Sequence, residues 1–284
     1  MSNFYEKYQN IIDDFVNNNL NYIEYYCKNN KLNYIDDNDD HYIDILCFFK
    51  NLPNNLKYNY NFILDSVNYK GYCLQFASDN LKNNYDIVLN AVQNYGWSLK
   101  FASDDLKNNY DIVLAAVQNN GYALEYASDD LKNNYDIVLA AVKNNGYVLQ
   151  FASDNLKNNY DIVLTAIKKN FYVFIYASDD LKNNYDIVLA AVQNNGCALK
   201  FASDDLKNNY NIALNAILND YLYKVILYLP SKFIKNRKLI VNMNNSKHYK
   251  KFYNKDKIIK ILDYKFKIKK NKLKQNLNRI FIFF

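Results

Sequence analysis

The sequence predicts an all-α fold, an α-solenoid of tandem 25-residue two-helix repeats with helical caps. The segment Leu-Lys-Asn-Asn-Tyr-Asp-Ile-Val-Leu begins at Leu81 and returns every 25 residues, at Leu106, Leu131, Leu156 and Leu181, with an altered copy from Leu206. The 284 residues include only 5 Gly and 2 Pro, too few for the tight turns of an all-β sandwich. Because two short helices cannot bury their apolar faces alone, neighbouring repeats are expected to stack.

Degenerate copies extend the array in both directions. The upstream copy includes Leu56 and the downstream copy includes Phe233, so the array is predicted to span residues 42–242. Terminal repeats of a solenoid face water on one side, which accounts for their divergence. Residues 1–41 are predicted to form an N-terminal helical cap, and residues 243–284 a basic C-terminal helix or tail.

The first helix of each repeat has clear boundary signals, which the copy that begins at Leu106 illustrates. Asn108 or Asn109 can accept the free backbone N–H groups at its N-terminus, and the helix should run from Tyr110 to about Asn119. The sequence Asn-Asn-Gly then ends it, with Gly121 predicted to adopt the left-handed conformation that follows many helices.

The faces of this helix follow from the spacing of its variable positions. Asp111, Ala115 and Gln118 are spaced i, i+4, i+7 and lie on one face. The Ala115 position changes freely between copies, so this face is predicted to be exposed to solvent. The opposite face is predicted to be buried and consists of Ile112, Val113, Ala116 and Val117.

A second, shorter helix is predicted from Tyr122 to about Ala127, followed by a turn at 128–130. Within it, Leu124, Tyr126 and Ala127 are expected to be buried. Glu125 is expected to be exposed, since Lys, Gln and Ile replace it in other copies.

The repeat unit resembles a known family. Leu-Lys-Asn-Asn-Tyr-Asp-Ile-Val-Leu-x-Ala-Val, followed by Asn-Gly-Tyr-x-Leu-x-Tyr/Phe-Ala-Ser, is similar to the helical repeats called domain of unknown function 4116, over about residues 56–226. The resemblance implies a giant DNA virus of the mimivirus type, a protist or a bacterium as the source, and it carries no activity or functional residues. Phe171 replaces the turn glycine in one copy, and the pattern breaks between Leu218 and Lys224, where the array is expected to deform or end.

Little in the sequence favours catalysis or a cofactor. The two histidines, His41 and His248, lie outside the repeats, and the four cysteines are far apart. The acidic run 36–40 lacks the Gly and the distant Glu of an EF-hand and is predicted to be a solvated turn. We therefore expect no enzyme activity, no metal, no cofactor and no small-molecule substrate.

An aspartate recurs in every repeat with a lysine three residues later, as in Asp104 and Lys107. An i,i+3 ion pair explains this spacing without a ligand. The alternative is a periodic surface for a partner.

The leading functional hypothesis is a scaffold for protein–protein interaction. Aromatic residues beside changeable polar positions suit a protein interface, although half-buried packing between repeats would explain the aromatic column equally well. Near identity of the copies is also compatible with recent duplication and no ligand. The candidate partner-binding residues are Trp97, Lys100, Tyr122, Glu125, Tyr147, Gln150, Tyr172 and Lys200.

The alternative hypothesis is binding of nucleic acid or an anionic membrane through residues 247–284. This segment holds thirteen basic and two acidic residues, a net charge of +11, so the remainder of the +6 chain carries −5. The segment could equally cap the array and dock on its acidic side. Only two of the 35 basic residues are Arg, which weakens the case for phosphate recognition. The candidate polyanion-binding residues are Lys255, Lys257, Lys260, Lys265, Lys267, Lys269, Lys270, Lys272 and Lys274.

Localisation is expected to be intracellular. The first residues lack the basic and apolar regions of a signal peptide, and no apolar run approaches the ~18 residues of a membrane span.

Overall fold

A computed structural model describes residues 54–219 and 224–234, and all regular structure in these residues is helical. The predicted all-α solenoid fold is therefore confirmed. The period of 25 residues defines seven repeats, which begin at residues 54, 79, 104, 129, 154, 179 and 204. The predicted cap at 1–41, with its acidic run, and the predicted tail at 243–284 lie outside the described residues, as do both histidines.

Each repeat contains three helical segments, whereas the sequence predicted two. The short α-helices are Asn54–Lys57, Asp79–Lys82, Asp104–Lys107, Asp129–Lys132, Asp154–Lys157, Asp179–Lys182 and Asp204–Lys207. The long α-helices are Tyr60–Tyr69, Tyr85–Asn94, Tyr110–Asn119, Tyr135–Asn144, Tyr160–Lys169, Tyr185–Asn194 and Tyr210–Leu218. The 3-10 helices are Gly71–Phe76, Gly96–Phe101, Gly121–Tyr126, Gly146–Phe151, Phe171–Tyr176, Gly196–Phe201 and Lys224–Leu227, and an α-helix Ser231–Ile234 follows.

The short helix replaces the turn predicted at residues 128–130. Ser128 is its N-cap residue, and the Ser128 Oγ accepts a hydrogen bond from the backbone N–H of Leu131 at 3.2 Å. Side-chain capping satisfies one of the N–H groups that a helix start leaves free. The serine therefore begins a helical turn where the sequence suggested only a change of direction.

The long helix agrees with its predicted boundaries. Asn109 is the N-cap residue, and its Oδ1 accepts from the Ile112 N–H at 3.1 Å, so the helix begins at Tyr110 and ends at Asn119. The adjacent Asn108 has another function, because its Oδ1 accepts a hydrogen bond from the Ser128 hydroxyl at 2.5 Å. The two asparagines thus serve the long helix and the junction with the next repeat separately.

The prediction that Gly121 adopts the left-handed conformation was wrong. Asn120, the residue that follows the long helix, is extended at φ −145° and ψ 112°, and Gly121 begins the 3-10 helix. A Cβ at Gly121 would lie 2.6 Å from the carbonyl oxygen of Ala141, in the next repeat. Glycine is required because two backbone segments approach closely.

The prediction of the buried face of the long helix is confirmed. The prediction that its opposite face is exposed holds for only part of that face. Ile112, Val113, Ala116 and Val117 are 0% exposed. Asp111 and Gln118 are exposed as predicted, whereas Ala115 and its equivalents are half-buried. Leu124 and Ala127 are buried as predicted, whereas Tyr126 is half-buried.

The described residues belong to two compact units, Met1–Asn144 and Asn145–Phe284. In the first unit the long helices of repeats 1 to 4 pack in chain order, and the 3-10 helices of repeats 1 to 3 pack against them. In the second unit the long helices of repeats 5 to 7 pack in the same order, with the 3-10 helices of repeats 4 to 6 against them. The core of each unit therefore lies between long helices and 3-10 helices.

Candidate partner-binding surface

The 3-10 helices determine which candidate side chains share a surface. With three residues per turn, the second and fifth positions of a 3-10 helix lie on the same side. In each of repeats 1 to 6 we call these two positions the variable face of that repeat. In chain order the pairs are Tyr72 and Gln75, Trp97 and Lys100, Tyr122 and Glu125, Tyr147 and Gln150, Tyr172 and Ile175, and Cys197 and Lys200.

All eight candidate residues predicted from the sequence lie on the variable face. Those that the structure exposes are Lys100, Glu125, Tyr172 and Lys200. Those that are half-buried are Trp97, Tyr122, Tyr147 and Gln150. The face therefore presents polar or charged tips beside aromatic rings that are only partly accessible.

The aromatic rings of repeats 2 and 3 pack against each other. The Trp97 ring centroid lies 6.1 Å from that of Tyr122 and 5.8 Å from that of Tyr126. The Lys100 ammonium lies over the Tyr126 ring, 5.8 Å from its centroid. Burial raises the pKa of the Tyr126 hydroxyl, with added contributions from Glu125 and Tyr95, so this tyrosine stays neutral at physiological pH. Part of the aromatic column is thus packing between repeats.

Two grooves run beside the variable face in the first unit, one repeat apart. The groove between repeats 2 and 3 has a volume of about 420 Å³, and Lys82, Lys100 and Lys107 contribute to its lining. The next groove has a volume of about 430 Å³ and is lined in part by Lys107, Glu125 and Lys132. Because Glu125 occupies the position of Lys100, the same groove has a different charge in consecutive repeats.

The aspartate and lysine of every groove form the ion pair that the sequence predicted. The Lys107 Nζ lies 3.2 Å from the Asp104 Oδ1, and the equivalent pairs of the other repeats span 3.3 to 4.0 Å. The carboxylates are almost fully solvated, so each pair contributes little stability. The pairs hold the lysine ends beside the grooves.

Sequence reasoning did not single out Ile175. In repeat 5 this residue occupies the position that is polar in the other five pairs, and it is 47% exposed. Phe171 and Tyr172 precede it, and their ring centroids are 4.1 Å apart. Repeat 5 thus carries an apolar version of the variable face, visible in the sequence as an uncharged Phe-Tyr-Val-Phe-Ile-Tyr.

A further groove of about 480 Å³ lies on the long helices of repeats 3 and 4. Its lining includes Gln118, Ala140 and Lys143. The free variation at the Ala140 position was a signal for this groove, but it was interpreted as simple exposure.

Two further observations concern what the described residues lack. No three His, Cys, Asp or Glu side chains in residues 54–219 and 224–234 come together as ligands for a metal ion. No helix in this part of the chain has the length and apolar character needed to cross a membrane. The lysines predicted to bind a polyanion, Lys255 to Lys274, lie outside the described residues.

Comparison with known families finds a match over most of the chain. The family described as Domain of unknown function (DUF4116) matches six overlapping segments, residues 59–107, 84–132, 109–157, 134–182, 159–207 and 184–234. Each segment covers about two of the repeats. Comparison with curated proteins and with solved structures finds no match.

Proposed function

The chain belongs to the family described as Domain of unknown function (DUF4116), and on that premise we propose that it is a non-enzymatic scaffold that binds another protein through its variable face. Solenoid repeats present extended surfaces on a regular frame. The match covers the repeats that carry this face, so the proposal concerns the matched part of the chain.

The observation that carries the proposal is side-chain variation on a constant backbone. The helices of repeats 2 and 3 have the same limits 25 residues apart, yet Trp97 and Lys100 are followed 25 residues later by Tyr122 and Glu125. Lys100 and Glu125 line two grooves of nearly equal volume. A row of similar grooves with different charges is suited to an extended partner with a matching sequence of side chains.

The chemistry of the grooves favours protein binding over catalysis. Aromatic rings next to charged tips are typical of protein interfaces. The recurring aspartates of repeats 2 to 7 are each paired with a lysine, as Asp104 is with Lys107, which supports a structural role for them. An active site is normally single, whereas these grooves recur.

The proposal is tested by reversing charge on the variable face. We expect a Lys100→Glu, Glu125→Lys double variant to lose its protein partner, because both side chains are exposed and border consecutive grooves. The partner is first captured with the full-length chain and nuclease, then purified, and its affinity for each variant is measured by calorimetry.

The matched control is a Gln93→Glu, Gln118→Lys double variant, which changes exposed residues on the long helices of the same two repeats. Loss of affinity of at least about tenfold in the first variant alone would support the proposal. Equal affinity of both variants would refute it.

The charge asymmetry of the chain favours a second candidate function, binding of an anionic polymer or membrane through residues 247–284. Substituting Gln for Lys265, Lys267, Lys269 and Lys270 removes four of thirteen positive charges from this segment. We measure binding of wild type and variant to a DNA duplex and, separately, to vesicles containing phosphatidylserine. Affinity that falls steeply with salt in wild type and is weak in the variant would support this function, because neutralising phosphates releases counterions.

A further inference from the structure

The variable face of repeat 5 is an exposed apolar patch. Tyr172 and Ile175 are one 3-10 turn apart and are 52% and 47% exposed, and the Phe171 ring lies beside that of Tyr172. Single exposed hydrophobic residues are normal, but a contiguous group marks an interaction site more often. We call Phe171, Tyr172 and Ile175 the apolar patch.

Lysines surround this patch in sequence and in the fold. Lys168 and Lys169 are exposed at the end of the long helix that leads directly into it. Lys200 is exposed at the position equivalent to Ile175 in repeat 6, whose 3-10 helix packs against that of repeat 5. Among the described residues, no carboxylate forms an ion pair with any of these three lysines. The patch therefore fits a partner that combines apolar and acidic side chains.

We propose that the apolar patch docks residues 34–45 of a second copy of the chain. This segment is Tyr-Ile-Asp-Asp-Asn-Asp-Asp-His-Tyr-Ile-Asp-Ile, with five aspartates between and beside two Tyr-Ile pairs. Its net charge is −5 with neutral His, and no other stretch of twelve residues in the chain is as acidic. Its Tyr-Ile pairs supply apolar anchors, and its aspartates complement Lys168, Lys169 and Lys200.

Charge disfavours the other occupants that the chain itself could supply. Two apolar patches facing each other would bring two sets of the same three lysines together. The apolar run 280–284 lies at the end of the segment 247–284, which has a net charge of +11. Lys168, Lys169 and Lys200 would therefore repel this segment. The contact of patch and acidic segment joins two different surfaces, so it can link copies head to tail.

The inference rests on the proposed function, because it assigns an occupant to one repeat of the variable face. It is tested with the purified full-length chain by sedimentation velocity from about 1 to about 100 μM, the range in which micromolar contacts become populated. We expect self-association that Ile175→Glu weakens at least about tenfold, because a carboxylate in the patch repels the aspartates. The matched control is Gln93→Glu, which adds the same charge at an exposed position outside the variable face, and circular dichroism establishes that both variants remain folded.

A second measurement identifies the occupant. A fluorescent peptide of residues 33–45 is titrated with the chain at low concentration and followed by anisotropy, beside a peptide with Asn at positions 36, 37, 39 and 40. We expect the acidic peptide to bind wild type and Gln93→Glu, and to bind Ile175→Glu at least about tenfold more weakly. The Asn-substituted peptide is expected to bind weakly to all three chains.

The inference is overturned if the chain remains monomeric over the whole range, if Ile175→Glu associates as wild type does, or if the two peptides bind equally. None of these results bears on binding of another protein at Lys100 and Glu125. Conversely, if the Lys100 and Glu125 variants showed that these residues bind no partner, self-association through repeat 5 could still be measured.

Discussion

Single residues in this array are selected by space and desolvation as much as by local conformation. The glycine that begins a 3-10 helix lies against a carbonyl oxygen of the following repeat, and the Cβ-to-oxygen distance would be 2.6 Å at Gly121 and 2.8 Å at Gly146. Phe171 occupies the same position in repeat 5, where the 3-10 helix persists. The approach of the two backbones can therefore differ from repeat to repeat.

Gly121→Ala is expected to destabilise the chain by about 1–3 kcal/mol, because the new methyl group meets a backbone carbonyl that cannot rotate away. Without that contact, the same change would stabilise by about 0.4–1 kcal/mol through the unfolded state. Urea denaturation of wild type, Gly121→Ala and Gly146→Ala measures the sign of the change in the free energy of unfolding. Stabilisation by Gly121→Ala would contradict the close-approach explanation.

Asp65 is expected to make stability depend on pH. Burial raises the pKa of its carboxyl above 3.8, so the folded state holds the proton more tightly than the unfolded state does. At a pH of about 3 the Asp65 carboxyl is largely protonated in both states, so it destabilises the folded state little. Above the raised pKa the folded state must hold the charged carboxylate in a partly buried place, which lowers its stability. Asp65→Asn should therefore raise the melting temperature at neutral pH and change it little near pH 3. An equal increase at both pH values would argue against desolvation as the cause.

At the scale of elements, asparagine side chains join consecutive long helices. The Asn119 Oδ1 accepts from the Gly96 N–H at 2.7 Å, and its Nδ2 donates to the Gln93 carbonyl at 2.9 Å. Asn94 and Asn144 make the equivalent pair of bonds within the first unit. One side chain thus satisfies two backbone groups of the preceding repeat, at the end of a long helix where such groups lack intrahelical partners.

Asn119→Ala is expected to cost about 1–3 kcal/mol, because the half-buried N–H of Gly96 loses its acceptor. Gln118→Ala, at the exposed neighbouring position, is the control and should change stability little. Hydrogen exchange of the Gly96 amide reports the local effect. If the Gly96 amide exchanges equally slowly in wild type and Asn119→Ala, the bridge is not what protects it.

At the scale of the whole molecule, the junctions between consecutive repeats within a unit are made by the same backbone atoms. The Ser103 N–H donates to the Lys82 carbonyl at 2.9 Å, and the Ser128 N–H donates to the Lys107 carbonyl at 3.0 Å. The described core of the first unit is built from residues that recur with the same period, such as Ile87, Ile112 and Ile137. Stability should therefore be close to a sum of repeat and junction contributions.

Deletion of residues 104–128 is expected to preserve a folded array, because it joins Ser103 to the short helix that Ser128 normally caps. The mean helicity per residue should be unchanged by circular dichroism, and the urea midpoint should fall. A deletion of only residues 104–115 removes a partial repeat and should unfold its surroundings, because the junction atoms no longer align. Similar helicity after both deletions would contradict the periodic description.

The sequence by itself determined the period, the limits of the long helix and its buried face, because these depend on neighbours within a few residues. Asn109 caps Ile112 three residues away, and the spacing of Ile112, Val113, Ala116 and Val117 indicates one apolar face. It also placed the eight candidate residues at two equivalent positions of the 3-10 helices, since a 25-residue period carries each position to its equivalent in the next repeat.

Only the tertiary structure decided what the neighbouring repeat does to each position. Gly121 meets Ala141, twenty residues away, and Trp97 meets the rings of Tyr122 and Tyr126, so neither role follows from local spacing. The Ala115 position varies as an exposed residue would, yet it is half-buried in a long helix that packs against the long helices on both sides of it. Burial and close approach are properties of pairs of repeats, and they exist only when the repeats stack.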